Sequence, residues 1–326
     1  MPTDLPSFDD VRRASERLSG EAVRTPLVRS AILDERAGRP VLLKAEVLQR
    51  TGSFKFRGAY NAIASLDADA RAKGVVACSS GNHAQGVAEA ARLFGVRATI
   101  VMPADAPALK VARTKRSGAH VVTYDRVNES REEIALRIVA ETGADFVPPY
   151  DDRRVISGQG TVGIEIAEQA EALGLDPARI LVPCSGGGLS AGIALAAEAL
   201  MPWARVTTVE PEAFDDHARS FRSGEREGNT ARSGSICDAL LADRPGEITF
   251  AVNRPRVPSG LAVSDDEVRT AMRFAFEELK LVVEPGGAVG LAAVLAGRLD
   301  EGPQPVVVVL SGGNAGPSAY AEAIGG

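Results

Sequence analysis

The sequence of 326 residues contains little of what builds disulfide frameworks or zinc sites, with three cysteines and three histidines. The cysteines are odd in number, lie far apart and form no CxxC pair; they are Cys78, Cys184 and Cys237. No two histidines lie at the helical spacing that is typical of metal ligands. We therefore expect reduced thiols, no disulfide framework and no zinc site, as in a cytoplasmic protein.

Long apolar runs and an excess of positive charge are also missing. The longest uncharged stretch, 180–197, is interrupted by Pro183 and three consecutive glycines, so it does not predict a membrane span. The formal net charge of −6 argues against nucleic acid or an anionic membrane as a bulk partner. Residues 1–10 are acidic and lack the basic-then-apolar order of a signal peptide. We expect neither a nucleic-acid nor a membrane partner, and a cytoplasmic location.

The chain is long enough for two domains, and strands alternate with helices along most of it. The predicted strands are at 41–47, 74–79, 97–102, 120–124, 180–184, 205–209, 249–252 and 305–310. The predicted helices are at 8–18, 82–94, 106–116, 129–141, 161–173, 189–201, 265–279 and 286–295. This βαβα order predicts an α/β fold with parallel sheets covered by helices. The segment 148–152 (Pro-Pro-Tyr-Asp-Asp) breaks the alternation and predicts a crossing between two lobes.

One lysine lies between two phenylalanines, just after a glycine turn. In T-G-S-F-K-F-R-G-A (51–59), Ser53 is predicted to cap a helix that starts near Lys55. Apolar neighbours and the positive end of the helix dipole disfavour the ammonium form, so the pKa of Lys55 should be lowered. A partly neutral lysine suits Schiff-base chemistry with a carbonyl cofactor. The alternative is a surface lysine whose stem lies between two core aromatics.

Three glycine-rich loops follow predicted strands, at 79–81, 185–188 and 311–314. In open parallel sheets, ligands bind at the carboxyl ends of the strands. S-G-G-G-L (185–189) lets successive backbone N–H groups converge on an anion at a helix N-terminus. It predicts a phosphate cradle, although it lacks the GK[ST] of a nucleotide P-loop. The alternative is a tight turn that needs glycine for packing.

The loop S-S-G-N-H-A-Q-G (79–86) offers a hydroxyl, an amide and an imidazole around a helix N-terminus. These groups suit a carboxylate or a polar ring substituent as ligand. The alternative is a helix that is only capped by serine or asparagine.

The segment G-Q-G-T-V-G (158–163) matches the GxGxxG pattern of dinucleotide sites. The residues before it, 151–157, are charged and do not predict an apolar strand. Without that strand the pattern is weak support for a nicotinamide or flavin site.

Five motifs together resemble a known family. They are S-F-K-F-R-G-A (53–59), S-S-G-N-H-A-Q-G (79–86), S-G-G-G-L-S-A-G (185–192), E-P-G-G-A (284–288) and L-S-G-G-N (310–314). In this order and spacing they resemble the serine/threonine dehydratase and serine racemase family, fold-type II enzymes that depend on pyridoxal phosphate (PLP). The resemblance begins at R-T-P-L (24–27) and reaches the last glycine loop.

The resemblance implies a two-lobed α/β fold like that of the tryptophan synthase β subunit. Residues 1–73 and 152–326 would form a large PLP-binding domain, and 74–151 a small mobile domain. PLP would lie between the two, and the small domain would close over the substrate. The family also implies a homodimer.

The same resemblance implies the cofactor residues. Lys55 would form the Schiff base with PLP and then remove the α-proton of the substrate. The other cofactor contacts would be Phe54 on the ring, Asn82 on its 3-hydroxyl oxygen, Ser311 at the pyridine nitrogen, and Ser185, Gly186, Gly187, Gly188 and Leu189 around the phosphate. Because the hydroxyl of Ser311 is neutral, it cannot hold a proton on that nitrogen as a carboxylate can. Such a site suits prompt elimination of a β-substituent.

The substrate's α-carboxylate would bind to the loop formed by Ser79, Ser80, Gly81, Asn82 and His83. In racemases the serine that matches Ser80 protonates the opposite face of the α-carbon, so Ser80 is a second catalytic candidate; the alternative is helix capping only. Arg131 matches an arginine that serine racemases place near dicarboxylate ligands. If it points inward, it would admit 3-hydroxyaspartate; if it points outward, it is a helix-surface arginine.

The segment E-P-E-A-F-D-D (210–216) resembles the divalent cation site of the family. There Glu210, Asp216 and the carbonyl of Phe214 would coordinate Mg²⁺ or Ca²⁺, with waters completing the shell. The alternative is an acidic surface loop. Glu165 and Glu284 are further acidic residues that the sequence does not place.

The resemblance implies an ammonia-lyase that converts a small β-hydroxy amino acid, L-threonine or L-serine, to a 2-oxo acid and ammonia. A serine racemase and a 3-hydroxyaspartate dehydratase are alternatives on the same scaffold. Ala242 stands where the racemase pattern has a substrate-facing serine, which weakens the racemase interpretation. An NAD-dependent oxidoreductase and a non-catalytic PLP-binding protein are remote alternatives. We also expect no carboxy-terminal regulatory domain, and hence no inhibition by isoleucine through one.

Overall fold

The computed structural model describes residues 4–106, 108–231, 233–300 and 302–325. The strands in this part of the chain are β1 (Leu27–Arg29), β2 (Val41–Ala45), β3 (Val75–Cys78), β4 (Ala98–Pro103), β5 (His120–Tyr124), β6 (Asp145–Phe146), β7 (Arg179–Pro183), β8 (Arg205–Pro211), β9 (Ser259–Val263) and β10 (Val306–Leu310). The helices are α1 (Phe8–Leu18), α2 (Ala31–Ala37), α3 (Lys55–Ala64), α4 (Ala68–Lys73), α5 (Asn82–Phe94), α6 (Ala108–Arg116), α7 (Arg131–Thr142), α8 (Arg153–Ala172), α9 (Gly188–Leu200), α10 (Asp216–Ser223), α11 (Glu247–Asn253), α12 (Asp265–Glu277), α13 (Pro285–Leu295) and α14 (Pro317–Gly325). None of the described helices has the length and apolar character needed to cross a membrane.

The larger sheet has six strands in the order β1-β2-β10-β7-β8-β9. Only β1 is antiparallel to its neighbour, and the other pairs are parallel. Strands β2 and β10 are buried along their whole length, as expected when helices cover both faces of a parallel sheet. Because β10 lies between β2 and β7, the last strand of the chain joins an early one in the middle of this sheet.

The smaller sheet has four parallel strands in the order β5-β4-β3-β6. Its strands all lie within residues 75–146. Helix α3 packs with this sheet although it precedes it, since Phe56 and Ile63 share an apolar cluster with Val75 and Ile100. The predicted α/β fold with parallel sheets is confirmed.

The predicted strand at 249–252 is wrong, because these residues lie in α11. The reason is tertiary. The Asp151 carboxylate Oδ1 accepts hydrogen bonds from the N–H groups of Ile248 (2.8 Å) and Thr249 (3.0 Å) and so caps this helix from a distant part of the chain. The sequence also missed β9, which follows α11.

The segment 158–163, which matches the GxGxxG pattern, lies within α8, so this helix begins earlier than the predicted start at 161. A β-carbon on Gly160 would lie 2.8 Å from the carbonyl oxygen of Gly192, and one on Gly163 would lie 2.7 Å from the side chain of Ala196. These glycines therefore let α8 approach α9 closely. The GxGxxG pattern here lacks the strand–turn–helix context of a dinucleotide site.

Candidate active site

Lys55 is the first residue of α3, and the last glycine loop of the chain holds the turn before it. Ser53 forms an antiparallel β-bridge with Gly312, and the Phe54 N–H donates to the Ser311 carbonyl (3.1 Å). The predicted helix cap by Ser53 is wrong: the bridge keeps Ser53 extended, and Phe54 takes the N-cap position without a side-chain cap. This pairing brings Ser311 next to Phe54 and Lys55.

The amine of Lys55 lies against the crossing segment 148–152. Its Nζ donates to the Pro149 carbonyl (2.7 Å) and lies 5.1 Å from the centroid of the Phe54 ring. Burial lowers the pKa of Lys55 to about 8, and the Glu284 carboxylate opposes part of that shift. At pH 7 about a tenth of such an amine is neutral and able to act as a nucleophile or a base.

The loop 185–188 between β7 and α9 leaves backbone N–H groups without protein partners. No carbonyl of the described residues accepts a hydrogen bond from the N–H of Ser185, Gly186 or Gly187. Gly187 has a φ of 91°, which favours glycine, and Gly188 and Leu189 begin α9. Unpartnered amides at the start of a helix fit the phosphate group of PLP.

The ring of Tyr150 lies directly on the α-carbon of Gly186, where any side chain would collide with it. The preceding residue, Pro149, holds the Lys55 amine. The sequence predicted 148–152 only as a crossing and missed both contacts. A signal was present, because two prolines fix an extended backbone and an aromatic residue follows them.

A chain of three polar side chains joins the two sheets at the cleft. Asn82 Nδ2 donates to Glu284 Oε1 (2.5 Å), and Asn82 Oδ1 accepts from Asn314 Nδ2 (2.8 Å). Asn82 follows the smaller sheet's β3, whereas Asn314 follows the larger sheet's β10. Burial raises the pKa of Glu284 to about 7, so this carboxyl can hold or release a proton near neutral pH. The E-P-G-G-A motif was the only sequence signal for it.

The loop after β3 ends in a helix N-terminus that no side chain caps. Gly81 is the N-cap residue of α5, so Ser80 does not cap this helix. Ser79 Oγ accepts from the Gly81 N–H (3.1 Å). His83 is buried, its Nε2 contacts the Val147 carbonyl (2.8 Å), and burial lowers its pKa to about 3. The imidazole therefore ties α5 to Val147, just before the crossing segment, while the N-terminal amides of α5 remain suited to a carboxylate.

Arg131, the first residue of α7, lies at the border of the cleft. Its Nε pairs with Glu132 (2.6 Å), and 53% of its side chain is exposed. Burial raises the pKa of Tyr150, and the Arg131 charge opposes part of that rise, so the two side chains lie within electrostatic reach. In this structure the guanidinium is paired with Glu132, and its side chain is half exposed.

Glu210 and Asp216 are two buried carboxylates at the end of β8. Both oxygens of Glu210 accept backbone N–H groups of α10 (2.9 Å each). Asp216 Oδ1 accepts from Asn229 (2.7 Å), and its Oδ2 has no partner among the described residues. Burial raises the pKa of both carboxyls, that of Asp216 to about 7, and the Asp216 charge adds to the rise for Glu210.

Only two of the three predicted metal ligands, Glu210 and Asp216, are side chains. Within the described ranges, no three His, Cys, Asp or Glu side chains group together as metal ligands. The two carboxylates would need the carbonyl of Phe214 and waters to complete a coordination shell. A buried, unpartnered carboxylate oxygen is nevertheless a hard donor of the kind that Mg²⁺ and Ca²⁺ prefer.

Comparison with known proteins agrees with this geometry. The model of the family described as "Pyridoxal-phosphate dependent enzyme" matches residues 18–312. L-threo-3-hydroxyaspartate ammonia-lyase of Saccharomyces cerevisiae is 44% identical over 323 residues, which cover 99% of this chain and 97% of that protein. L-threonine ammonia-lyase of Thermotoga maritima is 42% identical over 308 residues, or 94% of this chain and 75% of that protein.

Solved structures support the same assignment. The structure of maize serine racemase superimposes with a TM-score of 0.92 at 38% identity, covering 98% of this chain and 97% of that chain. The family resemblance and the fold-type II architecture that the motifs implied are thereby confirmed. The chain belongs to the family of PLP-dependent enzymes.

Proposed function

We propose that this protein is a PLP-dependent ammonia-lyase that converts small β-hydroxy amino acids, L-threonine and L-serine first, to a 2-oxo acid and ammonia. The observation that carries the proposal is the double contact of residues 149–150. Pro149 accepts a hydrogen bond from the Lys55 amine, and Tyr150 lies on the phosphate loop. One segment thus brings an amine of lowered pKa beside an anion cradle. The ammonia-lyases named above support the same reaction class.

When bound, PLP supplies a carbonyl that condenses with amines and a ring that withdraws electrons from the α-carbon. Lys55 would hold the cofactor until the substrate amine replaces it, and the freed Lys55 amine would then take the α-proton. Its pKa of about 8 lies close to neutral pH, where a general base is most effective. The substrate loses its β-hydroxyl as water, and the later addition of water releases ammonia and the 2-oxo acid.

Other groups of the chain would orient the reactants. The uncapped N-terminus of α5 and the hydroxyl of Ser80 are suited to the α-carboxylate. Hydrogen bonds to Glu284 and from Asn314 fix the orientation of the Asn82 amide, which would contact the 3-hydroxyl oxygen of the ring. Ser311 lies beside Phe54 and offers a neutral hydroxyl to the pyridine nitrogen.

The test uses the visible absorbance of the protein with PLP, before and after borohydride, together with turnover. We expect the wild type to show a band that borohydride removes, and Lys55→Ala to lose both the band and turnover. Lys115→Ala, an exposed lysine on α6, is the matched control and should behave as wild type. A wild type that binds no PLP would refute the proposal.

L-threo-3-hydroxyaspartate is a second candidate substrate, because the Arg131 charge reaches the Tyr150 phenol at the cleft. An arginine that turned from Glu132 toward the cleft would pair with a β-carboxylate. The products distinguish the alternatives. L-threonine would give 2-oxobutyrate, L-serine would give pyruvate, and 3-hydroxyaspartate would give oxaloacetate, whereas a racemase would convert L-serine to D-serine. If 3-hydroxyaspartate is the substrate, Arg131→Gln should raise KM for it at least tenfold and leave L-serine turnover nearly unchanged. Equal effects on both substrates would argue against this role.

We also propose that Mg²⁺ or Ca²⁺ binds between Glu210 and Asp216, with the Phe214 carbonyl as a third ligand. The unpartnered Oδ2 of Asp216 supports this, since a cation would relieve two buried carboxyl groups whose pKa values are raised. Either cation should raise the thermal midpoint of the wild type and not that of Asp216→Asn. The absence of a shift in the wild type would contradict the site.

For the domains, we propose that 74–151 forms a small mobile lobe and that 1–73 with 152–326 forms the large PLP-binding lobe, in a homodimer. The separate four-stranded sheet supports the small lobe, and α3 of the large lobe packs against this sheet. Light scattering would test the dimer, and amide exchange with and without substrate would test the lobe.

A further inference from the structure

Three fully buried side chains lie behind the phosphate loop, and the chemistry above does not use them. His217 is on α10, and Thr249 and Asn253 are on α11. No sequence pattern indicated this group, since α11 was predicted as a strand and His217 matched no motif. All three contact the loop 185–188.

Helix α11 holds two of the loop carbonyls. The carbonyl of Gly186 accepts from Thr249 Oγ1 (2.6 Å), and that of Gly187 accepts from Asn253 Nδ2 (3.2 Å). In a trans peptide, the carbonyl and the N–H of the next residue point in opposite directions. The same carbonyls also accept backbone N–H groups, that of Gly186 from Gly246 (3.1 Å) and that of Gly187 from Ala191 (2.9 Å). Together these bonds hold the two carbonyls on one side of the loop, so the N–H groups of Gly187 and Gly188 point to the other side.

His217 contacts the loop at Gly187. A β-carbon on Gly187 would lie 2.6 Å from His217 Cε1 and 3.0 Å from Nε2, so the imidazole abuts the loop backbone. Burial lowers the pKa of His217 to about 4, and the nearby backbone of Ser185 opposes part of that shift. Neither ring nitrogen has a partner at full hydrogen-bonding geometry among the described residues. The ring therefore stands beside the Ser185 backbone and packs on the left-handed turn at Gly187.

We propose that Thr249, Asn253 and His217 are positioning residues for the cofactor phosphate: they fix the direction of the loop amides and so set the affinity for the phosphate group. The proposal rests on the assignment of PLP to this loop. Because the three side chains contact the loop backbone, their effect on the phosphate would act through the loop amides. Loss of these contacts should therefore weaken the binding of PLP. It should not weaken the binding of pyridoxal, which lacks the phosphate but reacts with the same lysine.

The experiment titrates the cofactor-free protein with PLP and with pyridoxal and follows the absorbance of each complex. Thr249→Val keeps the shape of the side chain and removes its donor, so we expect a five- to tenfold weaker affinity for PLP, the loss of about one hydrogen bond. Pyridoxal affinity should change by less than about twofold. Thr249→Ser keeps the hydroxyl and should restore most of the affinity for PLP.

Thr270→Val is the matched control. The Thr270 hydroxyl also donates to a backbone carbonyl, that of Asp266 (3.0 Å), but on the exposed face of α12. Neither ligand's affinity should change in this variant. Asn253→Leu provides a second test at the adjacent peptide, and the ³¹P chemical shift of bound PLP gives a readout that needs no turnover.

Two results overturn the proposal: an unchanged PLP affinity in Thr249→Val and Asn253→Leu, or an equal loss for PLP and pyridoxal. Should Asn253→Leu fail to fold, the two Thr249 variants decide the question. His217 is not the first position to vary, because it follows Asp216 of the carboxylate pair. A folded wild type that binds no PLP would instead refute the proposed function, so the two failures are distinguishable.

Discussion

The carboxyl group of Glu284 is buried in the cleft, with 6% of the residue exposed. Burial raises its pKa from 4.5 to about 7, and the hydrogen bond from Asn82 opposes part of that rise. In the unfolded chain the same carboxyl titrates near its ordinary value. Between these two pKa values the folded protein binds one proton more than the unfolded chain. The free energy of unfolding therefore falls as the pH rises through this window.

Glu284→Gln should remove this pH dependence. Compared with the wild type, the variant should gain stability between pH 5 and pH 8, on the order of 2–3 kcal/mol. Chemical denaturation at each pH measures the difference, and Glu277→Gln, at an exposed position on α12, is the matched control. A difference from the wild type that stays constant with pH would contradict the raised pKa of Glu284.

At the scale of elements, α8 and α9 pack so closely that glycine is required where they cross. A β-carbon on Gly192 would lie 2.5 Å from the backbone nitrogen of Gly160 and would collide with the Ile156 carbonyl. Backbone atoms cannot move aside as a flexible side chain can. Since α9 begins at the phosphate loop, the crossing also fixes the position of that loop.

We expect Gly192→Ala to destabilise the protein by about 1–3 kcal/mol despite the better helix propensity of alanine, because the helices must separate. Gly325→Ala is the matched control: it is also a helical glycine, but its added β-carbon meets nothing within 4 Å. The thermal midpoints of the two variants test this. Equal midpoints would show that the crossing tolerates a methyl group.

At the scale of the whole molecule, a buried ionic network joins the larger sheet to α3 and α8. Arg57 on α3 pairs with Glu46 (2.7 Å) and Glu165 (2.7 Å), and Lys44 on β2 pairs with Glu165 (2.6 Å). Two cations balance two carboxylates, so the network carries no net charge. Glu165, which the sequence did not place, thus belongs to the structural frame that holds the helix of Lys55.

Arg57→Met should lower the free energy of unfolding by about 3–5 kcal/mol, because it leaves the buried Glu46 without a cation. The double variant Arg57→Met/Glu46→Leu should be more stable than the single variant, since the stranded charge is gone. Chemical denaturation measures both. Arg126→Met, which removes an exposed ion pair with Asp105, should have little effect. If the single and double variants are equally unstable, the stranded charge is not the cause.

Local sequence determined the elements whose signals are short-range. The helix at 8–18 has the predicted bounds, and its start is fixed by Ser7 and Asp10, which cap each other three residues apart. The helix at 82–94 also has its predicted bounds. The glycine loops lie at the carboxyl ends of strands, as the alternation of strands and helices predicted. These helix bounds and loop positions depend on residues only a few positions away, which the sequence shows directly.

Only the tertiary structure decided which distant side chains contact these loops. Asp151 caps α11, which the sequence predicted as a strand, and polar side chains of α11 then contact the loop 185–188. Asn82 meets Glu284 although 202 positions separate them. The order of strands in the two sheets brings residues together that are far apart in the sequence. The energy of each contact depends on how deeply it is buried, which the neighbouring sequence does not reveal. The sequence by itself determined which glycine loops follow the strands of the parallel sheets, whereas the packing of the two sheets decided which distant side chains contact those loops.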